Sequence, residues 1–83
     1  MTRVMLTQEA AEGIEDLPLV IHARVLRLLE RLQSWPAVSG AKPLTGVLAG
    51  RYRLRTGDYR LQFRVEGRAV IVEKIGHRDR FYE

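Results

Sequence analysis

The spacing of apolar residues changes period along this chain, and each change marks an element. Residues 3–6, Arg-Val-Met-Leu, read as a short strand that stops at Thr7. Thr7 fits a helix N-cap, because its hydroxyl can accept from an orphan amide of the first turn, where Gln8 and Glu9 follow. Ala10, Ala11, Ile14 and Leu17 then recur at helical spacing as a narrow apolar stripe. Gly13 weakens this helix and Pro18 ends it, while the same proline suits the first turn of a second helix running to about Ser34. Ile21, Val25, Leu28, Leu29 and Leu32 form the buried face of that helix, with Arg24, Arg27, Arg31 and Gln33 largely opposite. Two helices joined this tightly make an antiparallel hairpin, and their stripes need a sheet to cover.

Residues 36–50 contain Pro36, Gly40, Pro43, Gly46 and Gly50 and read as a connection, long for a small domain. After it the period becomes two. Tyr52 and Leu54 alternate with Arg51, Arg53 and Arg55. Beyond a Thr56-Gly57-Asp58 turn, Tyr59, Leu61, Phe63 and Val65 alternate with Arg60, Gln62 and Arg64. Glu66-Gly67 signals a second tight turn, and Ala69 to Ile75 is a third strand, apolar on both sides at its start. The expected fold is α+β: an N-terminal strand and helical hairpin packed on a mostly antiparallel sheet, which a C-terminal three-strand meander completes. No repeat, low-complexity segment or internal linker interrupts residues 1–83, and at 83 residues the chain is expected to be a single domain.

Composition adds limits. A chain that is 46% hydrophobic and 29% charged is ordinary for a globular protein, which excludes wholesale disorder. With no cysteine, a disulfide scaffold and any thiolate metal site are excluded. The N-terminal residues lack an apolar signal-peptide core and the apolar stretches are short, so a membrane span is not expected and a cytoplasmic location is.

Charge changes the picture more. Residues 1–50 carry five basic and five acidic groups, whereas residues 51–83 carry nine basic and five acidic, so the whole +4 excess lies in the last 33 residues. Eight of those nine basic residues are arginine, the side chain suited to bidentate phosphate contacts. Alternation places Arg53, Arg55, Arg60, Gln62 and Arg64 on one face of the meander, with Tyr52, Leu54, Tyr59, Leu61 and Phe63 toward the helices. Like charges facing each other across strands are destabilising, and Asp58 and Glu66 sit in turns, away from the middle of the face. An anionic ligand would relieve that repulsion. The alternative is a wet, solvated face with no ligand.

The sequence holds no Walker loop, GxGxxG, HExxH or Gly-x-Ser-x-Gly. His22 reads as a half-exposed packing residue on the second helix. His77 stands in Gly76-His77-Arg78-Asp79-Arg80-Phe81-Tyr82, where an imidazole, two guanidiniums and a phenol cluster beside the basic face; a polar tail is the plain alternative.

At these residues the chain resembles the RelE/ParE superfamily of type II toxins. The matching pieces are Lys42-Pro43-Leu44-x-Gly46, Gly50-Arg-Tyr-Arg-Leu-Arg-Thr-Gly-Asp-Tyr-Arg60, and Ile75-Gly76-His77-Arg78 with a closing Tyr82. Each piece alone is unspecific; the ordered set points to the RelE branch, and since the N-terminal strand and helical hairpin match the family's layout as well, the resemblance covers essentially the whole chain. The resemblance implies an mRNA interferase that enters the ribosomal A site, cleaves the messenger there without metal or cofactor, and is neutralised by a cognate antitoxin. Carried over, the basic strand residues fall on Arg53 and Arg55, the phosphate-binding arginine on Arg60, and the C-terminal arginine and tyrosine on Arg78 and Tyr82. Arg64, Lys74 and Arg80 complete the expected RNA-binding set.

Cleavage by a ribose 2′-OH needs in-line geometry, a base, an acid for the leaving oxygen, and positive charge on the equatorial oxygens. Arg60 and Arg78 suit the charge role, and Tyr82 suits stacking on a base or orienting the 2′-OH. Where the best-known RelE pattern has lysines, this chain has Arg53 and Arg55, and arginine is too basic to serve as a base. His77, with an ordinary pKa of about 6.5, is therefore the expected base or acid. Glu73 reads instead as a salt-bridge partner of a face arginine. The rivals are a ParE-like, non-enzymatic inhibitor of DNA gyrase, for which the His77, Arg78 and Tyr82 cluster is not required, an RNA-binding module without catalysis, and a decayed toxin kept for antitoxin binding.

Overall fold

Two hairpin turns organise the C-terminal half. In the computed structural model, which describes residues 2–81, strand β3 (Arg51–Thr56) meets β4 (Tyr59–Glu66), and β4 meets β5 (Ala69–His77). Each connection is two residues long with glycine first, Gly57 at φ +58° and Gly67 at φ +57°. That placement is favoured in type II′ turns, whose twist matches the flanking strands. Upstream lie β1 (Arg3–Leu6), helix α1 (Gln8–Glu15), helix α2 (Leu19–Leu32) and a two-residue strand β2 (Lys42–Pro43). The sheet order is β1-β5-β4-β3-β2, with β1 parallel to β5 and the other pairs antiparallel. This is the α+β arrangement the alternation predicts. One segment differs: inside the expected connection, Lys42 and Pro43 pair with Arg53 and Tyr52. A strand this short leaves no periodic trace in the sequence.

The meander carries one irregularity. Gln62 pairs with Lys74 but Phe63 pairs with Val72, so Glu73 is an extra residue in β5. Such a bulge sets two residues opposite one and resets the alternation that follows. Val70 and Val72 point into the core before it, and Ile75 does so after it. The backbone at the bulge is tied by Thr7, which follows β1. Thr7 N–H donates to the Val72 carbonyl at 3.0 Å, and the Thr7 hydroxyl donates to the Glu73 carbonyl at 3.0 Å. The same hydroxyl accepts from Ala10 N–H at 3.1 Å, so Thr7 is the N-cap its sequence position predicts.

Strand β1 pairs only with residues 69–72, and α1 lies beside the rest of β5. A Cβ on Gly13 would sit 2.4 Å from the Ile75 carbonyl oxygen, a backbone atom that cannot step aside. Gly13 is thus the condition for the helix to approach the strand, at some cost in helix propensity. The core comprises Ala10 from α1, Val25, Leu28 and Leu32 from α2, and Leu54, Leu61, Phe63, Val70, Val72 and Ile75 from the sheet. Trp35, just past α2, packs edge-on against Tyr52 at 4.8 Å and Phe63 at 5.1 Å between ring centroids. Full burial of a side chain such as Phe63 stabilises by about 1.5–3 kcal/mol. Among the described residues no helix is long and apolar enough to cross a membrane.

Candidate functional site

Because β3 buries Leu54 and β4 buries Leu61 and Phe63, residues of opposite parity line the other face of the sheet. Cross-strand register then sets Arg51 against Arg64, Arg53 against Gln62 and Arg55 against Arg60. Arg51 belongs to this face as well, next to the arginines that the sequence singled out.

The middle of the face is not bare. Glu73, its side chain 17% exposed, accepts from Arg51 Nε at 2.8 Å and Gln62 Nε2 at 3.3 Å on one oxygen, and from Arg64 Nη1 at 2.7 Å on the other. The expectation that carboxylates only flank this face is corrected by the bulge residue, whereas Glu73 as a salt-bridge partner agrees. Burial alone would raise the Glu73 pKa, but the hydrogen bonds from Arg51, Gln62 and Arg64 outweigh it and hold the carboxyl below its usual value. The Arg64 guanidinium is pushed up, first by its hydrogen bond to Glu66 and then by Glu73.

Toward β2 the face is different. Lys42 pairs with Arg53 across β2–β3, and with Arg55 and Gly40 these line a cleft of about 190 Å³. Among the described residues, Lys42, Arg53 and Arg55 make no side-chain hydrogen bond or ion pair. Arg60, opposite Arg55, donates only to carbonyls of its own turn, Gly57 at 3.1 Å and Tyr59 at 3.3 Å. Four cations therefore share this half without a carboxylate. Lys42 was absent from the sequence-based site, and only its pairing with Arg53 brings it in.

Arg78 reaches the same turn from the other side. Its N–H donates to the Asp58 carbonyl at 2.7 Å, and its guanidinium lies 3.7 Å from the Asp58 carboxylate and 3.6 Å from that of Asp79. Arg60 and Arg78 are thus brought together around residues 57–59. These ion pairs are exposed and contribute little to stability.

His77 is placed elsewhere. It pairs with Tyr59, and the two rings meet edge to face at 5.1 Å. Since Leu61 and Ile75, two residues along each strand and so on the same face, are core residues, His77 lies on the helix side and not on the arginine face. The bulge at Glu73 is the reason, because unbroken alternation from Val72 would turn His77 the other way. His77 Nδ1 accepts from Asp79 N–H at 3.1 Å, which leaves the proton of the neutral ring on Nε2. Clefts of about 270 and 310 Å³ flank it; Tyr59, His77 and Arg80 line both, and Asp79 lines the second.

Lys74 is engaged rather than open: its ammonium donates to the Phe81 carbonyl and lies 5.0 Å from the Phe81 ring centroid. Phe81, to which the sequence reading gave no role, is 1% exposed. Arg80 is exposed and has no ion pair among the described residues, and Arg64 is tied to Glu66 and Glu73. Tyr82 lies outside the described residues. Among the described residues no group of three or more His, Asp or Glu side chains gathers in a way that would hold a metal ion.

The family model for the ParE toxin of type II toxin–antitoxin systems, parDE, matches residues 4–82. The RelBE2 toxin–antitoxin complex of Mycobacterium tuberculosis contains a chain 30% identical to this one, with a TM-score of 0.80 over 93% of this chain and 98% of that chain. A chain of the archaeal RelE–RelB complex from Pyrococcus horikoshii OT3 is 27% identical, with a TM-score of 0.75 over 96% and 99%. The isolated RelE toxin of E. coli, 19% identical with a TM-score of 0.80 over 99% and 89%, shares the fold. No match was found among curated proteins.

Proposed function

Since the chain belongs to the ParE toxin family of type II toxin–antitoxin systems, within the RelE/ParE superfamily, we propose that its target is messenger RNA at the ribosomal A site, which it cleaves as an endoribonuclease. One observation carries this reading: Lys42, Arg53, Arg55 and Arg60 converge on one half of a sheet face with no carboxylate among them. Facing arginines cost stability unless an anion lies between them. A phosphodiester fits, because guanidinium forks match its oxygens.

The step assigned to the site is transesterification. The ribose 2′-oxygen forms a bond to the adjacent phosphorus while the bond to the 5′-oxygen breaks, leaving a 2′,3′-cyclic phosphate and a 5′-hydroxyl. Negative charge grows on the equatorial oxygens, and Arg60 and Arg78, gathered at one turn, are the groups given to it. The 2′-OH proton passes to water; His77 ends the strand at the same end of the sheet, and in this reading its imidazolium form gives a proton to the leaving 5′-oxygen. The cognate antitoxin is proposed to cover the cationic half.

The test is induced expression in bacteria together with single-turnover cleavage on programmed ribosomes. The wild type should arrest growth and cut the messenger, and Arg60→Ala with Arg78→Ala should do neither. Intact messenger together with DNA breaks and inhibited gyrase would replace this reading with the non-enzymatic one.

A further inference from the structure

Resting on that reading, we infer that Glu73 is an internal occupant of a phosphate site, a positioning residue that withdraws Arg51 and Arg64 from RNA and confines the strand to the Lys42–Arg60 half of the face. The donor set around it is the kind that holds a phosphate: two guanidiniums and a carboxamide, all aimed at one small anion. Glu73 fills that set from within the chain. Both of its oxygens are engaged and its carboxyl is held ionised, so it is not placed to take a proton from a 2′-OH.

The arrangement is built in three ways. The bulge puts Glu73 and Lys74 together opposite Gln62, so the strand presents a carboxylate where the two arginine chains converge. Thr7 fixes the Glu73 backbone through its hydroxyl, which ties the carboxylate's position to the start of α1. Glu66 holds Arg64 a second time, at 3.0 Å. Arg51 and Arg64 are thereby balanced by two carboxylates, while four cations stand unbalanced beyond Gln62. A strand of phosphates laid on the face meets net charge only on one side of that boundary.

Counterion release counts phosphate contacts, because the dependence of log Kobs on log salt steepens by about 0.7 for each phosphate a single strand gives up to a cation. The probe is a short fluorescent single-stranded RNA, titrated by anisotropy across a salt series with the full chain. Glu73→Gln keeps the shape of the side chain and removes its charge, so its slope should be steeper than the wild type's by up to about 1.4, two contacts' worth. Adding Arg51→Ala and Arg64→Ala to Glu73→Gln should return the slope to the wild-type value. On the wild-type background the same two alanines should leave it unchanged, while Arg53→Ala and Arg55→Ala should each flatten it by about 0.7. A salt bridge with a purely structural role would alter stability and not this slope.

An unchanged slope in Glu73→Gln overturns the inference, as does a slope that Arg51→Ala flattens in the wild type. Should Glu73→Gln fail to fold, the alanine pairs on the wild-type background decide alone. A wild type without salt-dependent RNA binding overturns the RNA reading itself. In that event, salt-dependent binding gained by Glu73→Gln would still support withdrawal of the two arginines, and none gained would overturn it.

Discussion

The two halves of the arginine face are built alike and used differently. Each centres on a facing pair, Arg51 with Arg64 or Arg55 with Arg60, at the same sheet spacing. In the first half Glu73 stands between the partners and takes both guanidiniums; in the second no carboxylate reaches the pair, and Arg60 turns back to its own hairpin. The first pair is thus converted from a repulsion into a partly buried network, where charge-assisted bonds are stronger than in open water. The second keeps its repulsion, and an anion would relieve it. Charge on a sheet face is therefore poorly described by a count of arginines. What matters is which of them a carboxylate can reach, and here one bulge residue decides it.

The largest separation between the halves should appear in catalysis. Arg60→Ala is expected to slow the single-turnover chemical step on programmed ribosomes by about 10²–10³, the usual effect of losing a donor to developing charge. Its melting temperature should hardly move, since surface substitutions stay within about ±0.5 kcal/mol. Arg51→Ala should do the reverse, melting lower while its chemical step stays within a few-fold of wild type. Equal rate losses in the two variants would erase the distinction between the halves.

Most of this architecture can be read in the residues. Thr7 announces the first helix, the Ile21 to Leu32 stripe the second, and alternation with Gly57 and Gly67 gives the meander. The arginine face follows from period two alone. The rest depends on contacts between distant segments. β2 is two residues long and is defined only by pairing with β3. The bulge leaves only a faint local mark, the three-residue spacing from Val72 to Ile75, which the apolar run at the start of the strand obscures. Missing it places His77 beside the arginines, when the register sends it to the helix side against Tyr59. Gly13 reads as a weak point of a helix until the Ile75 carbonyl appears 2.4 Å from where its Cβ would be. Phe81 is a hydrophobic anchor that a polar neighbourhood conceals.

A smaller contrast concerns the antitoxin. If the antitoxin covers the free half with an acidic segment, affinity should fall with rising salt, because exposed charges are screened beyond about 10 Å at 0.1 M. Arg53→Ala with Arg55→Ala should weaken the complex about tenfold or more, or about 1.4 kcal/mol, in a titration at low salt. Arg51→Ala with Arg64→Ala should weaken it less, as Glu73 already holds those side chains. Salt-independent affinity, or the opposite ranking of the two pairs, would move the antitoxin off this half. Glu73→Ala sharpens the comparison from the stability side. It strips the network of its acceptor and should cost about 1 kcal/mol, which is about 4–8 °C in melting temperature for a domain of this size.

The finest test uses pH, where the halves differ through a single carboxyl. Glu73 ionises in the folded chain below its ordinary value of 4.5, because the bonds from Arg51, Gln62 and Arg64 outweigh the desolvation that opposes them. A group with a lowered folded pKa contributes stability that is fully present above the unfolded value. That contribution is lost as pH falls from about 4.5 through the folded pKa, and below both none remains. Other carboxylates also weaken the fold in acid, so the wild-type curve alone does not isolate Glu73. The difference between wild type and Glu73→Gln does, since the amide cannot titrate. Urea midpoints taken from pH 7 downward should show a constant gap near neutrality that begins to close near pH 4.5 and continues to close below it. The Arg55–Arg60 half supplies the control: Arg55→Gln removes a cation with no carboxylate partner among the described residues, so its gap to wild type should show no such closure. A Glu73→Gln gap that stays flat to pH 3 would mean that the carboxyl gains nothing from its arginines on folding, and the two halves would then be electrostatically alike.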